Sequence, residues 1–212
     1  MPYPIAKLAY GLRCRLAELA TPVERYHFQV AAGDVSICPP EIQAISVTDS
    51  YLAFQYENGK ITVAEYYLGS STVLNQHTEQ ILFCRDLFLN AIDVNEISSE
   101  LFPNIIFDVD ELTVKNIATG SFNLLSKKLN VENIKLIAIA NDAFPFSSFA
   151  DMFDSLPKLD RITIYCAVAT TWMRDILQFQ RNKLEWLSIL DPDETFDIDI
   201  NLLIPFLKVS RS

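Results

Sequence analysis

The sequence predicts an α/β fold: a short N-terminal helical segment, a β-hairpin, and an irregular strand–helix solenoid on a parallel sheet. Three observations predict it. Leucines recur at helical spacing near the N-terminus, an Asn-Gly dipeptide separates two alternating apolar runs, and from about residue 105 one apolar pattern returns four times. The helical segment and the rest divide the chain into 1–40 and 41–212.

Composition sets the outer limits. The chain has 212 residues, half of them hydrophobic and 21% charged, enough to bury a core without staples. Its net charge of −10 opposes binding to phosphate backbones, so no nucleic-acid partner is expected. Charge is uneven: Lys7, Arg13, Arg15 and Arg25 against Glu18 and Glu24 give residues 1–32 a balance of +2, leaving −12 on the remainder. The four cysteines, Cys14, Cys38, Cys84 and Cys166, lie too far apart for metal-type spacing. With no signal-peptide core and no apolar run of spanning length, the expectation is a cytoplasmic or nuclear protein with reduced thiols and no membrane partner.

Helices come first. Leu8, Leu12, Leu16 and Leu19 follow one another at steps of four, four and three, which puts one apolar stripe on a short helix. In the "TPVE" that follows, Thr21 suits an N-cap, Pro22 the first helical position, and Glu24 the return partner of a capping box. Val23, Tyr26 and Val30 supply the next apolar face, and Gly33 is the expected stop.

The period then changes. Leu52, Phe54 and Tyr56 alternate before "ENGK", and Ile61 and Val63 after it. Asn-Gly favours the positive φ angles of a type I′ turn, which places Tyr56 opposite Ile61 and Phe54 opposite Val63. Residues 72–91 read as a return to helix, with Val73, Ile81, Cys84, Leu87 and Phe88 on one face.

The recurring pattern is apolar-x-x-apolar-x-apolar-x-x-apolar or small. It falls on Val109, Leu112, Val114 and Ile117; on Val131, Ile134, Leu136 and Ile139; on Leu159, Ile162, Ile164 and Ala167; and on Leu184, Leu187, Ile189 and Pro192. The starts are 22, 28 and 25 residues apart, the periods of leucine-rich repeats. SFNLLSKKL, SSFADMFDSL, TWMRDILQF and DINLLIPFL between and after them have helical apolar spacing. Each unit is then a strand and a crossover helix, a leucine-rich-repeat-like coil whose strands stack in parallel. A doubly wound α/β domain is the alternative.

With these residues in view, the opening "IAKLAYGLRCRLAELATPVERYHFQVAA" resembles an F-box. The hairpin and irregular strand–helix units after it resemble the nematode-expanded F-box and F-box-associated families. The resemblance implies a non-enzymatic adaptor. The F-box plugs into the linker subunit of a cullin-RING ubiquitin ligase, and the repeat body holds an unknown protein substrate. Leu8, Leu12, Leu16, Pro22 and Val23 would form the plug face, and the local positive balance suits an acidic partner. The same leucines would equally cap the first coil of the stack. The rival function is a repeat-based protein-binding module with no ligase connection.

Chemistry-bearing motifs are sparse, so no enzyme and no cofactor is expected. His27 and His77 sit in no metal-ligand context, and no phosphate loop or nucleophile elbow occurs. The acidic stretches 107–111 and 191–199 lack the glycine and ligand spacing of a calcium loop and read as solvated. Trp186 lies between inward leucines, where packing against a helix outweighs exposure as an anchor. The outward positions of the four strands, Thr113, Lys135, Thr163 and Ser188, are the candidate partner-binding face.

Overall fold

The structure is a computed structural model. It describes residues 7–32, 45–47, 50–57, 59–74, 80–97, 103–118, 120–142, 145–190 and 200–209. The described residues form six α-helices and nine strands in a mixed, mostly parallel, open sheet. The chain divides into two compact units, one of Met1–Thr48, Asn75–Cys84 and Ser98–Ile106, the other of Asp49–Leu74, Arg85–Ile97 and Phe107–Ser212.

The first unit holds α1 (Tyr10–Leu19) and α2 (Pro22–Ala32). Their junction follows the sequence expectation. The Thr21 N–H donates to Glu24 Oε2 at 2.8 Å and the Glu24 N–H to Thr21 Oγ1 at 3.3 Å, the reciprocal bonds of a capping box. The Thr21 N–H, and after it the Thr21 hydroxyl, which donates to Glu24 Oε2 at 3.0 Å, hold the Glu24 carboxyl below its ordinary range. In α2, Val23 N–H reaches Pro103 O at 3.4 Å and Tyr26 meets Phe83 edge-on at 5.6 Å. A short strand, β1 (Ile45–Val47), runs parallel to residues 81–83. The expected stop at Gly33 lies outside the described residues.

In the second unit the hairpin has the expected register. Strands β2 (Tyr51–Glu57) and β3 (Lys60–Tyr67) pair antiparallel, with Phe54 opposite Val63 and Tyr56 opposite Ile61. Gly59 takes a φ of 77°, which a turn this tight requires. A second turn through Leu68 and Gly69, both at positive φ, adds β4 (Ser70–Val73).

The helix expected over 72–91 does not form. Residues 81–90 are instead β5 (Ile81–Asn90), a strand parallel to β2. The helical reading rested on the three-residue step from Cys84 to Leu87. In the strand both are buried, because Arg85 and Asp86 together span the gap; beyond it Leu87 and Leu89 point in while Phe88 and Asn90 alternate with them. Pairing on both sides overrides a local pattern that fits either state.

The following strands are β6 (Ile105–Lys115), β7 (Leu136–Ala140), β8 (Arg161–Ile164) and β9 (Trp186–Ile189). The order across the sheet is β4-β3-β2-β5-β6-β7-β8-β9, so the last five strands lie side by side in chain order. Register corrects the sequence expectation. Leu112, Ile137, Ile162 and Leu187 are partners, and so are Val114, Ile139, Ile164 and Ile189. The step is 25 residues every time, not 22, 28 and 25. The second set is therefore Ile134, Ile137 and Ile139, not Val131, Ile134 and Leu136. Leu136 lies on the opposite face, half-buried, while Ile137 is fully buried. The same step carried backwards puts Cys84, Leu87 and Leu89 in phase with Val109, Leu112 and Val114. The segment expected to be helix is a fifth instance of the pattern.

Hydrogen bonds repeat with the same step. Lys135 N–H donates to Asp110 O, Asp160 N–H to Lys135 O and Glu185 N–H to Asp160 O, at 2.8–3.0 Å. One turn thus satisfies its backbone on the previous one.

Between strands run α3 (Ser121–Lys128), α4 (Phe149–Ser155) and α5 (Trp172–Phe179), with α6 (Ile200–Val209) after β9. All four fall where the apolar spacing predicts. They bury Phe122 and Leu125, Phe149 and Met152, and Trp172, Met173 and Ile176. Full burial of a side chain of this size contributes about 1.5–3 kcal/mol. Asp151 of α4 accepts from the N–H groups of Phe122 and Asn123, so the start of α3 is helped by the next helix. Trp172 packs edge-on against Phe206 of α6 at 5.7 Å.

Candidate functional site

Two surfaces hold the sequence-predicted residues, one in each unit. On α1 no residue is buried. Leu12 is 59% and Leu19 69% exposed and Leu16 is half-buried, while Leu8, expected on the same helix, precedes it and is half-buried. Pro22 and Val23, at the start of α2, are half-buried too. The helix therefore displays its leucine stripe where a folded chain ordinarily hides one. Arg15 pairs with Glu18 at 2.6 Å on the same exposed helix, and the Cys14 thiol raises the Tyr10 hydroxyl above its ordinary range through a hydrogen bond. His27 is exposed and stands edge-on to Tyr26.

The second surface is the sheet face opposite the buried leucines. Thr113, Thr163 and Ser188 stand on it as expected, all half-buried, but the row is completed by Ala138. Lys135 is displaced by the register correction. It is exposed in the turn before β7, where its backbone joins Asp110 and Asp160. A parallel row holds Glu111, Leu136, Arg161 and Trp186. Trp186 is 60% exposed, contrary to the packing expected of it, because its strand position points away from the helices. Tyr165 and Leu190 are also exposed at the ends of β8 and β9.

Sequence reasoning missed the third part of this face. Tyr51 of β2 stacks on Tyr66 of β3, rings 3° from parallel and 5.0 Å apart, and meets Phe88 of β5 edge-on at 6.4 Å. Tyr51, Phe88, Asp86, Glu111 and Thr113 line a cavity of about 340 Å³. Burial raises the Asp86 carboxyl above its ordinary range, Glu111 and Asp110 add to the rise, and Arg85 opposes it. The signals were present: Tyr51 and Tyr66 are opposite in the hairpin, and Asp86 and Glu111 are one 25-residue step apart.

A second cavity, about 360 Å³, lies at the ends of β6 and β7 and includes Asn116, Asn141, Asp142 and Phe146. Asn116, at φ 54°, exchanges hydrogen bonds with Asp142, whose side chain also lies 3.3 Å from Lys115 Nζ. These contacts hold the Asp142 carboxyl below its ordinary range. They tie one strand end to the next.

Among the described residues, Cys84 and Cys166 are buried and Cys14 half-buried, none of the three in a disulfide. No group of three or more His, Cys, Asp or Glu side chains among them is placed to hold a metal ion. Of the acidic stretches, 191–199 lies outside the described residues, as do Cys38 and His77; in the other, Asp108 accepts from Asn133 Nδ2 at 2.9 Å. No described helix is long and apolar enough to cross a membrane. The chain matches no protein-family model, no curated protein and no solved structure.

Proposed function

We propose that the chain is a non-enzymatic adaptor that brings a protein substrate to a cullin-RING ubiquitin ligase from the cytoplasm or nucleus. Leu8, Leu12, Leu16, Pro22 and Val23 dock on the ligase linker subunit. The body is a leucine-rich-repeat-like stack of five coils, and its outward sheet face grips the substrate. One observation carries this reading: α1 has no buried residue, and Leu12 and Leu19 of its leucine stripe are exposed. Leucines displayed in a row on a helix are a surface suited to docking on a partner. The positive balance of residues 1–32 speeds encounter with an acidic partner. The constant 25-residue register supports the repeat body. Thr113, Ala138, Thr163 and Ser188 offer a shallow row suited to contact.

The purified chain should bind the purified linker subunit. Leu12→Asp with Leu16→Asp should abolish binding while leaving thermal unfolding nearly unchanged, because Leu12 is exposed and Leu16 only half-buried. A folded parent chain that does not bind the linker sinks the ligase reading. The rival, a protein-binding module acting through the sheet face alone, is favoured by exposed Trp186, Tyr165 and Leu190 on or beside that face.

A further inference from the structure

The row of side chains across the sheet changes character from one side to the other. Toward β8 and β9 it holds Arg161 and Trp186, while toward β2 and β5 it holds two carboxylates beside three aromatic rings. We propose that the cavity walled by Tyr51, Phe88, Asp86 and Glu111 receives the lysine or arginine side chain of a protein segment bound along this sheet face. The proposal rests on the sheet face being the substrate-docking surface, and it names the chemistry that surface selects.

Three observations lead to it. The Tyr66–Tyr51 stack holds the Tyr51 ring, and Phe88 meets that ring edge-on, so two fixed aromatic rings line the site. Aromatic faces attract ammonium and guanidinium groups, and more strongly where water is excluded. Next, Asp86 and Glu111 share the cavity, and burial works against the charge on Asp86. A cation relieves both penalties, whereas an apolar or anionic side chain increases them. Finally, among the described residues the cation beside Glu111 serves it weakly. Arg161 lies 3.9 Å from the Glu111 carboxylate and is drawn to Asp160 at 3.5 Å, and both Arg161 and Glu111 keep more than a third of their side-chain exposure. An arriving guanidinium or ammonium group would make shorter, charge-assisted hydrogen bonds. The volume, about 340 Å³, is at the small end of ligand pockets and suits a side chain rather than a cofactor.

A random peptide library displayed on phage, selected on the immobilised full chain, tests this. Enriched peptides should share a lysine or arginine at one fixed position. Replacing that residue by norleucine or citrulline should weaken binding at least tenfold. Asp86→Asn with Glu111→Gln should do the same, and Glu111→Lys more so, with thermal unfolding checked for each variant. Enriched peptides without a fixed cation overturn the proposal, and so do cationic peptides that bind Asp86→Asn with Glu111→Gln as well as the parent. Preference for free spermidine over the peptides overturns it too. Thr163→Arg separates the two levels. Peptides that lose binding to Thr163→Arg but carry no fixed cation leave the docking face standing and remove the cation site. Peptides indifferent to Thr163→Arg, or no enrichment at all, remove both.

Discussion

Replacing Ile137 by Ala should be far more damaging than replacing its neighbour Leu136, and the difference tests the register of the stack. Ile137 is fully buried in β7, between Leu112 of β6 and Ile162 of β8. Truncation removes three carbons. At roughly 0.8 kcal/mol for each buried methylene, the transfer loss is about 2.4 kcal/mol. The strands on both sides prevent collapse, so a cavity penalty follows, and the total should reach about 3–4 kcal/mol. Leu136 loses the same atoms from a half-buried place on the other face, where water fills the gap, and should lose about 1 kcal/mol or less. Urea unfolding of both variants gives the answer as a change in midpoint at constant slope. In the 22-28-25 spacing Leu136 points inward and Ile137 outward. A larger loss for Leu136→Ala than for Ile137→Ala would therefore refute the 25-residue register, since a slip of one residue exchanges the faces of a strand.

Other consequences can be measured singly. Thr21→Ala removes one half of the capping box and should destabilise by about 1 kcal/mol; Glu24, whose carboxyl is held low by Thr21, should then titrate closer to its ordinary value by NMR. Gly59→Ala should destabilise by about 1 kcal/mol although nothing lies within 4 Å of the added carbon, because the strain comes from φ 77°. Asp86→Asn should raise the unfolding midpoint at neutral pH. The folded state raises this carboxyl, through burial and the charges of Glu111 and Asp110 and against Arg85, with Tyr51 and more distant Arg161 also on the face. The ionised form therefore costs stability above the raised value, and the cost disappears as pH falls through it. The gain from Asp86→Asn should shrink on acidification, and a gain that grows instead would contradict the sign.

Much of the fold could be read from residues, and the failures have physical causes. Asn-Gly dictates a turn type, and the turn type dictates the pairing of Phe54 with Val63, so the hairpin was legible to the residue. Helices α3 to α6 were legible because their apolar positions follow one period between strands of another. Strand β5 was not, since Cys84, Leu87 and Phe88 satisfy helical spacing while the three-residue step is also part of the strand pattern. The frame of β7 was hidden by its own hydrophobicity. In "VENIKLIAIA" both Val131 and Ile134 are buried, and either can open the pattern. Only the partner strands decide. On the site, Thr113, Thr163 and Ser188 followed from strand placement and Lys135 failed with the frame. The Tyr51–Phe88–Asp86–Glu111 cavity draws on three strands separated in the chain. Nothing local in any one of them marks it.

Hydrogen exchange of the intact chain, alone and with the ligase linker subunit, tests the adaptor account most directly. The account predicts slowed exchange across residues 8–23, where the exposed leucines meet the linker, with the amides of β6 to β9 unchanged. No protection anywhere, or protection confined to the sheet, would contradict it.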